Sequence, residues 1–374
     1  MSTYLHGADR LDEIEPLLQN KRLGLITNPT GRDKKMRSTV SLLHEKYNLV
    51  RIYAPEHGLW GAIQAGERVD HETDPATGIP VQSLYGSHDD VRMDDIDVLL
   101  YDIQDVGLRF YTYIYVMEKG MRLAASHHIP FVVLDRMNPL GLSTVQGTLL
   151  EEAYSSGIGK FGLASRYGLT CGELAAYLAD TGHLNPDLRV LPCRGLTRKD
   201  DILSLGLPFV QPSPNLPSVS AMFCYVGTVI LEGTNLSEGR GTTRPFETFG
   251  APFLHAEKLL GYIEAGNFKG ALFRPVRFCP TFSKHAGKVC EGVDILLTDP
   301  RRFDAFRFGL YVTDYLRHEV PEFAYAKWGE KNAIDHILGT SAFRLETFDV
   351  PTFIQNEKRL VQKFRKSTEK YWIY

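Results

Sequence analysis

Short apolar runs alternate with amphipathic segments along the first two thirds of the chain. Near-continuous Leu, Ile and Val occur in RLGLITNP (22–29), LVRIYAPE (49–56), DIDVLLYDI (95–103) and PFVVLDR (130–136). Apolar residues recur at helical spacing in segments 36–47 and 115–128. Buried strands that alternate with helices are typical of a parallel sheet covered on both faces. The pattern therefore predicts an α/β domain with a Rossmann-like, doubly wound, mostly parallel sheet.

The pattern changes near residue 248. Helix-like and strand-like segments then follow one another at 255–265, 273–282, 287–299 and 303–318, with an amphipathic tail near 351–370. This predicts a smaller C-terminal α/β domain, with the chain divided into 1–248 and 249–374. Two local signals lie before the boundary. Thr170 and Glu173 have the spacing of a capping box at the start of a helix over 170–180, and the prolines of QPSPNLPS (211–218) predict an extended loop.

Composition narrows the class of protein. A chain of 374 residues suits two domains. A formal net charge of −3 gives no indication of a basic surface for nucleic acid. The sequence has no run of some 18 apolar residues, so it predicts no membrane span. The first residues lack the basic and then apolar stretch of a signal peptide, so the sequence predicts a cytoplasmic protein, or an extracytoplasmic one if a leader has been removed.

Neither a cofactor nor a metal is predicted. The segment GIGKFG (157–162) matches a dinucleotide fingerprint but does not close a strand, and the first βα turn reads TNPTG instead, which makes NAD binding improbable. The five cysteines contain no C-x-x-C pair and are expected to be buried thiols. Isolated histidines such as His127, His128 and His285 lack metal-ligand spacing.

Polar side chains follow the predicted strands at the edge where a doubly wound sheet binds its ligands. Glu56 and His57, in the motif PEHG, come directly after the second strand, and Asp102 and Asp105 lie in YDIQDVG after the third. These four are the candidate catalytic groups. A carboxyl desolvated at a strand end suits a general acid, and His57 would tune or orient it. Two other interpretations stay open: Glu56 caps a helix or pairs with an arginine, and the aspartates pair with Arg109.

A further set of residues is predicted to bind substrate. Mixtures of amides, cations and aromatic faces suit sugars, and such residues occur in the strand-end loops and the proline-rich loop: Asn28, Arg109, Tyr111, Tyr113, Arg136, Asn138 and Asn215. For the two tyrosines alone, core packing is the alternative. The segment EGTNLSEGRGTTRPFE (232–247) is the densest of all in charge and glycine, and contributes Glu232, Asn235, Glu238, Arg240 and Arg244. A solvated interdomain loop and a phosphate cradle are the alternatives there.

The motifs together resemble one family. GLITNPTG, PEHG, YDIQDVGLRFYTY, DRMNPLG, RYGLTCGELA, PSPNLP and EGTNLSEGRGTTRPFE follow in this order from about residue 20 to the C-terminal KYWIY. This series is similar to that of the NamZ-type exo-β-N-acetylmuramidases, peptidoglycan glycosidases long classed as a domain of unknown function. The chain departs from the family pattern at Met137, where proline is expected.

The resemblance implies a Rossmann-like catalytic domain, a smaller C-terminal domain and an active site in the cleft between them. It implies release of single N-acetylmuramic acid (MurNAc) residues from the non-reducing ends of peptidoglycan fragments, with Glu56 as the catalytic glutamate. The expected partner is therefore a small saccharide or muropeptide. Two rivals remain: a muropeptide-binding protein without catalysis, and a metal-dependent hydrolase built on Glu56, His57, Asp102 and Asp105.

Overall fold

The structure of the protein, a computed structural model, describes residues 4–64, 66–67, 72–86, 91–345 and 349–374. These residues form two compact units. The first comprises residues 1–144, 167–214 and 365–374, and the second residues 145–166 and 215–364. The boundary predicted at residue 248 lies inside the second unit, because the strand that begins there pairs with a strand of that unit.

The strands and helices predicted from the sequence begin and end close to their predicted positions, and further short elements lie between them. The strands are β1 (Arg22–Thr27), β2 (Asn48–Ala54), β3 (Glu72–Thr73), β4 (Pro80–Ser83), β5 (Val98–Asp102), β6 (Pro130–Leu134), β7 (Gln146–Leu149), β8 (Ala164–Arg166), β9 (Asp187–Leu191), β10 (Thr248–Ala251), β11 (Ala271–Phe278), β12 (Cys290–Leu297), β13 (Lys327–Trp328) and β14 (Lys331–Asn332). The helices are α1 (Glu15–Leu18), α2 (Thr39–Lys46), α3 (Tyr113–Ser126), α4 (Cys171–Thr181), α5 (Ile202–Leu205), α6 (Val219–Thr228), α7 (Ala256–Ala265), α8 (Ala305–Glu319), α9 (Ala333–Leu338), α10 (Ala342–Leu345) and α11 (Val350–Thr368). Short 3-10 turns cover Gly7–Ile14, Glu152–Tyr154, Val229–Gly233 and Glu369–Tyr371.

The first unit is built on a sheet with the strand order β3-β4-β2-β1-β5-β6-β9. All neighbours are parallel except β3, which runs antiparallel to β4. The central strands are buried because their Leu, Ile and Val side chains face helices on both sides; Leu25 and Leu100 are fully buried. The chain leaves β1 toward β2 and later returns to place β5 on its other side, so the order reverses between β1 and β5. The predicted doubly wound, Rossmann-like fold is confirmed.

The second unit contains an antiparallel sheet in the order β10-β12-β11. The aromatic rings of Phe249, Phe268 and Phe308 form its core with centroid separations of 5.2 to 5.8 Å. Helices α6 and α8 approach closely at Gly227 and Gly309, since a Cβ on Gly309 would lie 2.2 Å from the Gly227 carbonyl oxygen. The apolar residues 222–231, which precede the charged segment 232–247, lie in α6 and in the 3-10 turn that follows it.

Several local predictions are confirmed. Thr170 accepts the Glu173 amide at 3.2 Å, while the Glu173 carboxylate accepts the Thr170 amide at 3.1 Å, which is the predicted capping box. Residues 157–162 form turns and not the end of a strand. Four of the five cysteines are buried free thiols as expected, but Cys279, directly after β11, is exposed, and for it the prediction is wrong. None of the helices within the described ranges is both long and apolar enough to cross a bilayer.

Candidate functional site

The carboxyl ends of β1, β2, β5 and β6 bring their polar loops to one edge of the sheet. The loops interlock through Gln104, which follows β5. Its amide donates to the Thr30 hydroxyl in the β1 loop at 2.8 Å, and its side-chain amide donates to the Met137 carbonyl in the β6 loop at 2.8 Å. The predicted strand-end residues therefore share one edge, which spans the reversal point between β1 and β5 where doubly wound folds bind ligands.

Glu56 lies at this edge, two residues past β2, and is 8% exposed. One carboxylate oxygen accepts the Gly66 amide at 3.1 Å, and the other accepts the Thr112 hydroxyl at 2.6 Å. Tyr85 also bonds to Glu56; burial and the nearby carboxylate together raise the pKa of Tyr85 to about 12. Among the described residues Glu56 neither caps a helix nor forms an ion pair, so the described contacts support neither alternative interpretation of it.

His57 turns away from the carboxylate beside it. Its backbone has φ 73°, a left-handed conformation that few residues other than glycine adopt. Its Nδ1 lies 2.6 Å from the Ile63 carbonyl oxygen, which closes the loop after β2. The ring meets Tyr113 edge to face at a centroid distance of 6.4 Å. His57 is thus a residue that shapes the loop carrying Glu56.

Three predicted substrate-binding residues cluster next to this loop. The Tyr113 hydroxyl donates to the Pro212 carbonyl and interacts with the Asn28 side chain, while its ring lies 4.9 Å from that of Tyr111. Asn28 Oδ1 accepts both the amide and the hydroxyl of Thr30, at 3.0 and 2.6 Å. The structure therefore joins the β1 loop to the segment after β5 at the edge where Glu56 lies.

Asp102 and Arg136 form a buried ion pair. The guanidinium donates from Nε at 2.5 Å and from Nη2 at 2.9 Å, and the side chains are 0% and 3% exposed for Asp102 and Arg136. The Thr39 hydroxyl donates to the same carboxylate. With both oxygens engaged, this carboxylate is positioned to hold the loops after β5 and β6 together. The sequence left open a pairing of Asp102 with Arg109, but its partner is Arg136.

Asp105 differs from Asp102 because none of the cations among the described residues forms a salt bridge with it. Its Oδ2 accepts the Tyr167 hydroxyl and the Gly107 amide, the latter at 2.6 Å. Burial raises the pKa of Asp105 to about 6, against the lowering effect of these donors. Burial-perturbed carboxyls of this kind are candidates for proton transfer.

Arg109 and Asn138, two further predicted substrate-binding residues at this edge of the sheet, are buried in the protein. Arg109 is fully buried, and its backbone carbonyl accepts the Tyr115 hydroxyl at 2.8 Å. Asn138 donates to the Leu169 carbonyl at 3.0 Å and accepts the Leu140 amide at 3.0 Å. A Cβ at Gly107 would lie 2.2 Å from Asn138 Oδ1, so the two loops pack without room for a larger residue. Asn138 thus holds the loop together.

In the second unit, the segment 232–247 is organised by a charge network. Arg240 Nη1 lies 2.9 Å from a Glu232 carboxylate oxygen and 2.7 Å from one of Glu238, and Lys284 Nζ lies 3.0 Å from the other oxygen of Glu238. Burial raises the pKa of Glu232. For Glu238, burial acts in the same direction, but Lys284 and Arg240 outweigh it and lower the pKa. The Arg240 charge is therefore compensated within the protein.

Arg244 is less constrained than Arg240. Its Nη2 donates to the Ile295 carbonyl at 3.1 Å and lies 3.5 Å from Glu247, and its side chain is 36% exposed. Its buried Nε has no hydrogen-bond partner among the described residues. Asn235, by contrast, is anchored at both ends of its amide, to Glu322 and Ala324 at 2.8 and 3.1 Å. Asn215, at 9% exposure, is the first residue of the longer segment of the second unit, 215–364.

Some residues of the site were not identified from the sequence. Thr112 and Tyr85 contact Glu56, Tyr167 contacts Asp105, and Lys284 contacts Glu238 from 46 positions further along the chain. Thr112 and Tyr167 had a signal, since they lie within the motifs YDIQDVGLRFYTY and RYGLTCGELA. Within the described ranges no three His, Cys, Asp or Glu side chains are grouped as metal ligands, and the four residues of the metal-dependent rival make separate contacts.

Comparison with known proteins assigns the family. The sequence models of the N-terminal and C-terminal domains of the exo-β-N-acetylmuramidase NamZ match residues 23–220 and 223–374. The peptidoglycan β-N-acetylmuramidase NamZ of Bacillus subtilis (strain 168) is 40% identical over 373 residues, which covers 97% of this chain and 89% of the relative.

Solved structures agree. Two crystal structures of DUF1343 family proteins from Bacteroides fragilis superpose with TM-scores of 0.88 and 0.79 at 34% and 29% identity. Each comparison covers this chain completely, with 100% and 99% of the respective relative. With the full-length family match and the shared fold, the chain belongs to the NamZ exo-β-N-acetylmuramidases, a family of glycoside hydrolases.

Proposed function

We propose that this protein releases MurNAc from the non-reducing ends of peptidoglycan fragments by hydrolysing the β-1,4 bond to N-acetylglucosamine (GlcNAc). The name of the Bacillus subtilis relative, a peptidoglycan β-N-acetylmuramidase, supports the substrate class. One observation carries the proposal for the catalytic group. Glu56 is a buried carboxyl that pairs with no cation among the described residues, and the Thr112 hydroxyl and the Gly66 amide hold it at the edge of the sheet where doubly wound folds bind ligands.

In this mechanism Glu56 is the general acid. Its carboxyl proton moves to the glycosidic oxygen as the bond from that oxygen to C1 of MurNAc breaks, and water supplies the hydroxyl that joins C1. Thr112 orients the carboxyl so that the proton faces the leaving oxygen. Asp105 is the candidate for the second group that activates water, because Arg136 already neutralises Asp102. Participation of the 2-acetamido group of the substrate is the other route.

Recognition of MurNAc requires a partner for its lactyl carboxylate. A guanidinium binds a carboxylate through two parallel hydrogen bonds. Arg244 suits this role better than Arg240, since two glutamates already compensate Arg240, whereas Arg244 is partly exposed and lies 3.5 Å from a single glutamate.

Incubation with a MurNAc–GlcNAc disaccharide tests the activity. Free MurNAc is expected in the presence and absence of EDTA. No release would favour a binding protein, and release abolished by EDTA would favour a metal-dependent hydrolase. Glu56→Gln is expected to lower kcat by about 10²–10⁴-fold, the usual contribution of a general acid. Glu118→Gln, another buried glutamate of the same unit, is the matched control and should keep its activity.

The role of Arg244 has its own test. Arg244→Gln is expected to weaken inhibition by free MurNAc by about tenfold, which corresponds to one charge-assisted contact, and to leave inhibition by GlcNAc unchanged. Equal weakening of both sugars would exclude Arg244 as the carboxylate ligand. Arg240→Gln serves as the comparison, and it is expected to lower stability more than it changes the ratio of the two inhibition constants.

A further inference from the structure

The loop that carries Glu56 ends in an exposed aromatic residue. Trp60 is 54% exposed, whereas Leu59 beside it is 5% exposed. Across the described residues the Trp60 ring makes no hydrogen bond, ring–ring contact or cation–π contact. A tryptophan in this position offers a flat apolar face that a ligand ring can cover, with an indole N–H at its edge.

Trp60 is held at a fixed place relative to Glu56. Two successive turns form the loop, with the Gly58 amide donating to the Pro55 carbonyl at 3.1 Å and the Gly61 amide donating to the Gly58 carbonyl at 3.3 Å. Gly61 has φ 67°, and a Cβ there would lie 3.1 Å from Pro29 in the β1 loop. The loop therefore packs against the β1 loop. The position of the indole, four residues after Glu56, is fixed by this packing and by the two turns.

A cavity of about 230 Å³ lies beside this indole. Its wall combines apolar side chains, among them Pro29, Val40 and Leu59, with polar ones such as Asn28 and Ser41. The volume is below the roughly 300–1,000 Å³ of sites that enclose drug-sized ligands, which fits one sugar ring with any further sugars of a chain outside the cavity. An aromatic face beside polar groups is the combination that binds a pyranose, whose ring presents both C–H surfaces and hydroxyls.

The cavity adjoins the candidate catalytic edge. Asn28 lines it and also interacts with the Tyr113 side chain, whose ring meets that of His57. An exo-acting enzyme encloses the terminal sugar, while the rest of the chain leaves through an open side. The solvent exposure of Trp60 fits a place on the open side, where the rest of the chain would leave the enzyme.

We propose that Trp60 and this cavity form the subsite for the leaving-group sugar, in which the indole stacks on the GlcNAc ring that Glu56 releases. The proposal rests on the proposed function, since it names the binding place of the aglycone in that reaction. Stacking at this position would hold the glycosidic oxygen close to the Glu56 carboxyl and would favour substrates with a sugar over those with a small leaving group.

The test compares two substrates and three variants. The substrates are the MurNAc–GlcNAc disaccharide and methyl β-N-acetylmuramoside, which has no leaving-group ring. Trp60→Ala is expected to lower kcat/KM about tenfold on the disaccharide, equivalent to about 1.4 kcal/mol, and less than twofold on the methyl glycoside. Trp60→Phe should restore most of the loss. Trp328→Ala, which removes a similarly exposed tryptophan at 43% exposure, should leave both substrates unaffected.

The outcomes separate the two proposals. A wild-type protein that releases no MurNAc from either substrate overturns the proposed function and this subsite with it. An active wild type whose Trp60→Ala variant matches it on the disaccharide, or loses equally on both substrates, overturns the subsite alone. Thermal unfolding of each variant accompanies the assay, and the Trp60→Phe variant gives the answer if Trp60→Ala does not fold.

Discussion

The buried ion pair of Asp102 and Arg136 gives a sharp test of how the first unit holds its ligand-binding edge. Arg136→Met removes the guanidinium and keeps an unbranched apolar stem. Asp102 then remains fully buried without the two donors at 2.5 and 2.9 Å and keeps the hydroxyl of Thr39. The Arg32 carbonyl also loses the Arg136 donor that lies at 2.8 Å.

Removal of one partner of a buried pair costs about 3–5 kcal/mol, because the other charge stays uncompensated. We therefore expect the free energy of unfolding of Arg136→Met, measured by urea titration at pH 7, to fall by about 4 kcal/mol. The double variant Asp102→Asn/Arg136→Met should be less destabilised than the sum of the single variants, by about 1–3 kcal/mol, since neither charge is left alone.

The matched control is Arg189→Met. Arg189 pairs with Asp187 at 3.1 Å, but both side chains are about half exposed, at 54% and 52%. Its loss should stay below about 1 kcal/mol. A loss below 1 kcal/mol for Arg136→Met, or strict additivity in the double variant, would refute the reasoning. Activity per folded molecule then separates a structural role of Asp102 and Arg136 from substrate contact. A kcat/KM near that of the wild type assigns both residues to structure.

Three further predictions concern buried carboxyls and their donors. Burial raises the Asp105 pKa to about 6 from an ordinary 3.8, so the native state holds a proton that the unfolded chain releases, and the free energy of unfolding falls as pH rises through this range. Between pH 4.5 and 7.5 the wild type should lose about 2 kcal/mol more of this free energy than Asp105→Asn. Equal pH dependence of the two proteins would contradict this. Tyr374→Phe removes a hydroxyl that donates to Asp135 and accepts the Cys193 amide, each at 2.6 Å, and should cost about 1–3 kcal/mol in chemical unfolding. The same change at half-buried Tyr371, whose hydroxyl donates to the exposed carboxylate of Asp180, should cost less. Thr170→Ala removes the capping hydroxyl of α4 and should lower the free energy of unfolding by about 1–2 kcal/mol. Thr170→Ser keeps a hydroxyl and should retain at least half of the stabilisation that Thr170→Ala loses.

The sequence predicted the sheet and its ligand-binding edge because both depend on local information. Runs such as 22–29 and 49–56 have the apolar density of buried strands, and the polar residues directly after them, including Glu56, fall at the same edge of any parallel sheet. The capping box at Thr170 was equally local. Long-range pairing was not predictable, because the partner of a buried charge depends on which loops the topology brings together. Asp102 accordingly binds Arg136, 34 residues away, and not the nearer Arg109.

The segment 232–247 shows how a densely charged segment pairs its own side chains when it folds. Burial of charged groups is unfavourable unless they are paired, so a folded chain first satisfies such groups with one another. Arg240 bridges Glu232 and Glu238, and Lys284 completes the network from outside the segment. The groups left for a substrate are those that this pairing passes over. Arg244 in the second unit and Glu56 in the first therefore carry the functional proposal.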